Sequence, residues 1–299
     1  MSATNHRIFL GGHRSAAGLL LASIEESHFH PVITHTVSNP VTGNSLQLPT
    51  INNSFSWSTA TMLDAGEDHG HTGETYKVIA LAQSASVQST AGYLPQRVEI
   101  YDPRLKSWST AGQLPQNWSL LQERSVISEN MLYSQVLELN SGTHGIGAFS
   151  VQNGTSIFIL LPLEDVGGGE RYDSLFTCGS RVFLATCIRH DDFSKISDFI
   201  IWEFEKPNLS SNYSWREIAR IPSSLLEDVK EDDTGSLLFE CEGIRDLVCI
   251  VYEHECVHET RVYNLSENTW KWIQIHSMDV GKYSPFIFFF EPRPDMKVE

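Results

Sequence analysis

The sequence predicts an all-β protein: a β-propeller of six blades, each of four antiparallel strands, filling residues 1–299 as one domain. Three observations predict it. One short phrase keeps returning along the chain. Strand-like runs bounded by turn residues fill nearly all the rest, and helical periodicity is almost absent. A hairpin that recurs at a fixed spacing cannot bury its own apolar face, so it must pack on its neighbours.

The clearest copy of the phrase spans 98–115: Val98-Glu-Ile-Tyr-Asp-Pro103, a turn, Trp108, then Leu114-Pro115. Weaker copies lie at 35–49, 147–162, 199–222 and 261–276. Trp108, Trp215 and Trp270 mark a period of roughly 53–55 residues. Leu46 and Ile157 stand at the same place in the first and third copies. A period near 50 is that of kelch-type four-stranded blades. WD40 blades run to roughly 40–45 residues and carry a repeated Gly-His…Trp-Asp signature that does not recur here.

Along the chain, Ile8–Ala22 is β material ahead of the first phrase, which turns on Asn39-Pro-Val-Thr-Gly43 and ends at Leu48-Pro49. Tyr76–Gln83, Met131–Leu139, Arg181–Cys187 and Asp246–Tyr252 are apolar or β-branched runs, each followed by a phrase. The order within a unit is therefore strand, strand, then an outer hairpin that carries the phrase. Pro and Gly preset the dihedrals of that hairpin's turn, and Asp or Asn caps it through its side chain. One short helix is expected over 222–230, where Pro222 suits a first turn and Ser223 or Ser224 can cap. Five phrase copies, with Ile8–Ala22 and Phe286–Phe290 left over for a composite unit, give the six blades. The loosest stretches, 65–73, 84–92, 164–170 and 231–235, fall where loops belong and split off no domain.

Hydrophobic residues make up 41% of the chain and aromatics 10%, enough for a large core. No segment approaches the 18 or so apolar residues of a membrane span, and the N-terminal apolar run is too short for a secretion signal. The five cysteines, without a CxxC pair, read as reduced and mostly buried, which places the protein in the cytoplasm or nucleus. The net charge of −16 excludes a phosphate-backbone partner, since nucleic acid needs a clustered positive field. It serves solubility first; the sharper reading is a basic protein partner.

With the repeats placed, the chain resembles the kelch-type propeller region of plant F-box proteins, the F-box-associated domain. Val37-Ser-Asn-Pro-Val-Thr-Gly43 with Leu48-Pro49, Gly73-Glu-Thr-Tyr-Lys-Val78, the phrase at 98–115, Trp215-Arg-Glu-Ile with Phe239-Glu-Cys-Glu-Gly243, and Phe290-Glu-Pro-Arg293 are similar to that family's phrases, in order. The resemblance implies a non-enzymatic target-recognition module of a ubiquitin ligase. The kelch Gly-Gly doublet is largely missing, and the propeller-like pattern begins almost at Met1. A Skp1-type adaptor is therefore expected as a partner only if an F-box lies upstream.

The chemistry-bearing constellations are weak. His254, Cys256 and His258, with Cys249 nearby, form the most metal-like cluster, but a polar hairpin loop is expected there anyway. Glu67-Asp-His69-Gly-His71 lacks the alternating acids of a calcium loop. Gly167-Gly-Gly169 opens no helix, and no G-x-S-x-G elbow occurs. No cofactor and no catalytic residue is expected; a metal- or copper-dependent propeller enzyme is the alternative. The expected function is binding of a protein or peptide by the face that carries the inter-blade loops and the loops between second and third strands. Trp118, Arg124, His144, Arg171, Arg189 and His190 lie in or beside those loops. Exposed there, Trp118 would suit a binding hot spot, but a loop Trp folded back on its blade is the state expected first.

Overall fold

The computed structural model describes residues 7–9, 15–16, 19–25, 33–51, 55–64, 76–84, 96–162, 170–189, 196–206, 213–226, 238–254, 257–274 and 298. They form five small antiparallel sheets and one short helix, the arrangement of a β-propeller. The first sheet holds β1 (Arg7–Phe9), β2 (Ser15–Ala16), β3 (Leu19–Glu25), β4 (Ile33–Ser38) and β5 (Ser45–Gln47). Its order is β1-β3-β4-β5, with β2 also on β3. The other four are four-stranded meanders in chain order. They comprise β6 (Phe55–Asp64), β7 (Tyr76–Ser84), β8 (Gln96–Asp102) and β9 (Ser107–Gln113); then β10 (Trp118–Ser128), β11 (Met131–Glu138), β12 (Thr143–Ser150) and β13 (Ser156–Leu160). Next come β14 (Glu170–Cys178), β15 (Arg181–Arg189), β16 (Ile196–Glu205) and β17 (Ser214–Arg220); last are β18 (Leu238–Ile244), β19 (Leu247–His254), β20 (Val257–Asn264) and β21 (Thr269–Gln274). The helix α1 is Ser223–Leu226, inside the expected 222–230.

Five sheets replace the six expected blades. The N-terminal β material does not found a sheet of its own. Ile8 pairs with Ile24 and Ser15 with Leu20, so this material extends the first sheet through β3. Phe286–Phe290 lies outside the described residues.

Burial explains the strand sequences. β15 is buried along nearly its whole length and reads as a continuous apolar run, because both of its faces meet protein. β9 and β17, at the sheet edges, are mostly exposed or half-buried and correspondingly polar. All five phrases are third-and-fourth-strand hairpins: β4–β5, β8–β9, β12–β13, β16–β17 and β20–β21. Register sets their aromatic positions directly opposite one another, as Tyr101↔Trp108, Phe204↔Trp215 and Tyr263↔Trp270. Their ring centroids lie 5.4, 5.2 and 4.7 Å apart, tilted. Where the Trp is absent its aromatic partner is absent too, leaving Val37↔Leu46 and Ala148↔Ile157. The turns are capped as expected. Asn39 Oδ1 accepts from Val41 N and Thr42 N, Asp102 Oδ1 from Arg104 N, and Asn264 Oδ1 from Ser266 N. Gly43, at φ 74°, closes the first turn where most L residues would be strained.

The chain packs as two compact units, Met1–Leu160 with Phe290–Glu299, and Leu161–Phe289. In the first, Leu19, Leu21, Val37, Val78 and Tyr101 form one core, on which Trp108 and Val298 pack; Ile79, Leu81, Val98, Leu132 and Phe149 form another. In the second, Phe176, Phe183, Phe199, Ile201, Ile250 and Tyr263 form the core between sheets four and five, and Leu226 of α1 joins it. First strands lie against first strands: β6 on β10 in one unit, β14 on β18 in the other.

Candidate functional site

Within the second unit, the start of β14 and the end of β15 pair at one edge of the fourth sheet, Glu170 opposite Arg189 and Asp173 opposite Thr186. This is the edge where the chain enters the sheet and where second and third strands are joined. Two arginines expected from sequence meet here, and period-two alternation sends them to opposite faces.

On one face, Arg189 is 1% exposed. Its Nη1 donates to the Tyr172 hydroxyl at 3.3 Å, and its guanidinium stands 5.9 Å from the Tyr172 ring centroid. The Tyr172 hydroxyl donates in turn to Glu170 Oε2 at 2.5 Å, which is also 3.9 Å from Arg189 Nη1. Burial first, then the bond to Glu170, push the Tyr172 phenol above its ordinary pKa, so it remains a donor. The Glu170 side chain is 46% exposed. Among the described residues its Oε1 has no partner, so an oriented carboxylate faces solvent there.

On the other face, Arg171 Nε donates to Asp173 Oδ2 at 2.7 Å and Nη1 to the Pro162 carbonyl at 2.6 Å. Thr186 Oγ1 donates to Asp173 Oδ1 at 2.7 Å. This network fastens the incoming chain at Pro162 to the first two strands. Arg171 is a positioning residue.

Outward along the same edge, a cleft of about 440 Å³ opens between the start of β16, the end of β17 and α1. Ile221, Pro222 and Leu226 line it, with Ser197, Asp198, Arg220 and Ser223. Arg220 pairs with Asp198 and also with Glu217, at 2.9 Å.

The corresponding edge of the third sheet, in the first unit, holds Asn117, Trp118, Glu138 and His144. Glu138 accepts from the Ser141 hydroxyl at 2.5 Å, Asn117 Nδ2 at 2.6 Å and Ser141 N at 2.7 Å, and these donors, Ser141 first, lower its pKa to about 2.

Trp118, a candidate for the binding face whose alternative was a Trp folded back on its blade, opens β10 and is only 7% exposed. The glycine at 147 leaves a gap in the strand surface that admits the indole, and the Phe158 ring lies 5.9 Å away. Trp118 is a packing residue. His144 is exposed on β12. Arg124 lies on β10, but its side chain is outside the described residues, as are His190 and Cys256. His254 and His258 end β19 and open β20, pairing with Val257 and Glu253; their side chains are likewise outside the described residues. Among the described residues no cluster of His, Cys, Asp or Glu could hold a metal, and no helix is long and apolar enough to cross a membrane. Sequence reasoning missed Glu170, Tyr172 and Asp173. Their signal is the polar opening Glu170-Arg-Tyr-Asp173 of an otherwise apolar strand.

No family model matches the chain, and no curated protein matches it. Solved structures do. An α-L-arabinanase of Penicillium chrysogenum, complexed with arabinobiose, shares 8% identity at a TM-score of 0.52, over 90% of this chain and 80% of that one. An α-L-arabinofuranosidase of Fusarium graminearum, also with arabinobiose, shares 10% at 0.55, over 91% and 83%. At such identity the likeness establishes the β-propeller fold alone. It nevertheless overturns the expectation of a non-enzyme. That expectation rested on likeness to a non-catalytic branch, whereas the two solved propellers just named are enzymes.

Proposed function

We propose that the protein is a target-recognition propeller that binds a basic segment of a protein or peptide at the β14–β15 edge of its second unit. The observation that carries this reading is the Glu170 carboxylate, half-exposed and held by Tyr172 and Arg189. A carboxylate fixed by its own donors loses little side-chain entropy when a lysine or arginine pairs with it, so more of the interaction energy is retained. The net charge of −16 attracts a cationic partner and raises its encounter rate. Asp191 and Asp192 follow the edge closely in sequence.

The test is fluorescence anisotropy of the whole chain with lysine-rich and glutamate-rich peptides. Lysine-rich peptides are expected to bind, more weakly as salt rises, and about tenfold more weakly to Glu170→Gln, as loss of a charge-assisted bond implies. Equal binding of both peptide classes, or an indifferent Glu170→Gln, would refute the reading. A second reading, catalysis on an arabinose-containing glycan, is favoured by the arabinanase and arabinofuranosidase with the same fold. Release of reducing ends from arabinan would put it first; intact arabinan would remove it.

A further inference from the structure

The cleft beside α1 belongs to the same edge as Glu170. Ile196, one residue before its wall, pairs with Arg189, and the Ser197 hydroxyl donates to the Ile188 carbonyl at 3.0 Å. The groups that hold Glu170 and the groups that wall the cleft therefore sit on neighbouring strands of one sheet. The cleft differs from the rest of the edge in having an apolar floor. Ile221 and Leu226 belong to the core between sheets four and five, so the floor is fixed before any ligand arrives. At about 440 Å³ it lies in the lower part of the range for small-ligand sites, roughly 300–1,000 Å³.

Charge restricts the occupant. Arg220 and Asp198 line the cleft as an ion pair, and Arg220 is shared with Glu217 beside it, so the three-residue cluster at the cleft carries one negative charge in excess. An acidic ligand meets that excess unfavourably, and a purely aliphatic one uses the floor alone. An apolar side chain flanked by cations gains from both floor and rim.

We infer that the cleft seats one aliphatic side chain of the basic segment whose cation pairs with Glu170. The inference rests on the reading of Glu170 above and adds a sequence requirement: a compact apolar residue close to a lysine or arginine. Ser197 and Ser223 stand at the mouth, where a larger side chain would close it.

Two fluorescent octapeptides of lysine and glycine, one bearing a single leucine and the other alanine in its place, test this on the whole chain. The leucine peptide is expected to bind about tenfold tighter, the gain from burying roughly two methylene equivalents. Ser223→Trp, and independently Ser197→Tyr, fill the cleft from different sides and are expected to abolish the leucine preference while the alanine peptide binds as before. Glu170→Gln weakens both peptides alike. If leucine gives no advantage, or keeps it in both filled variants, while Glu170→Gln still weakens binding, the cleft inference falls and the Glu170 reading stands. If neither peptide binds, both fall.

Discussion

Replacing Trp118 separates packing from recognition. The indole is 7% exposed and lies over the backbone at position 147, where an added Cβ would sit 2.7 Å from Trp118 Cζ3, 2.9 Å from its Cε3 and 3.1 Å from Val136 Cγ1. Two perturbations of one contact follow. Trp118→Ala empties a buried aromatic site, at a cost of about 3–5 kcal/mol. Gly147→Ala drives a methyl group into the indole. The nearest atoms are side-chain carbons of a large ring, so the ring must shift or the strands part, and overpacking of this kind costs about 1–3 kcal/mol. With the indole gone, most of the Gly147→Ala clash goes too. The double variant is therefore expected to be no less stable than Trp118→Ala alone, a coupling of about 1–3 kcal/mol.

Urea unfolding of the four proteins, followed by circular dichroism, measures the cycle, and binding of the lysine-rich peptides is measured on the same preparations. Packing predicts lower unfolding midpoints in both single variants, non-additivity in the pair, and unchanged peptide affinity while the protein is folded. A Trp118→Ala protein as stable as the parent but unable to bind would refute the reasoning and return Trp118 to the recognition face. Additive losses would show that the two residues do not share a contact.

Gly243→Ala is expected to destabilise the second unit by about 3 kcal/mol, since its Cβ would meet Cys178 Sγ at 2.2 Å and the Thr177 carbonyl at 2.3 Å; thermal unfolding checks this. Burial pushes the Cys178, Cys187 and Cys249 thiols up to about 12, and Cys241 is buried as well, so native protein at pH 8 is expected to take up at most one equivalent of a maleimide and five in denaturant. Glu138 is held at about 2 in the folded chain against an ordinary 4.5. Its contribution is therefore fully present above 4.5 and lost as pH falls toward 2; carboxyl NMR titration reports the low midpoint, and Glu138→Gln removes that part of the acid dependence.

The repeat was legible because its two strands bring matched residues into register. Tyr101 with Trp108, Phe204 with Trp215 and Tyr263 with Trp270 leave an aromatic pair at a constant place in three of the five phrases, and Asp102 and Asn264 mark the turn. The blade number was not legible, because Ile8–Ala22 reads as strand whether it founds a sheet or extends one. That choice is made by long-range pairing with β3, to which local sequence is blind. What packs against Trp118 was not legible for a related reason. Asn117-Trp-Ser after Leu114-Pro115 looks like a loop, and only β12, two strands away in the sheet, supplies the glycine that admits the ring. At the candidate site, Arg171 and Arg189 were found from their closeness to loops, but their roles divide by face. One fastens Pro162 and the other supports Glu170, and strand register alone decides which does which.

That division bears on how a propeller of this kind acquires function. Each sheet repeats the same scaffold, so a residue common to all sheets serves packing, and function is to be sought where one sheet departs from the others. Among the described residues the fourth sheet departs most. It combines a buried arginine chained through a tyrosine to a solvent-facing carboxylate with a preformed apolar cleft next to the only helix among the described residues. A buried cation is costly to keep, and an isolated surface salt bridge contributes little to stability. The Arg189–Tyr172–Glu170 chain is therefore poorly explained as a stabilising device. Its effect is to orient one oxygen toward solvent, which is of use only to something that binds there.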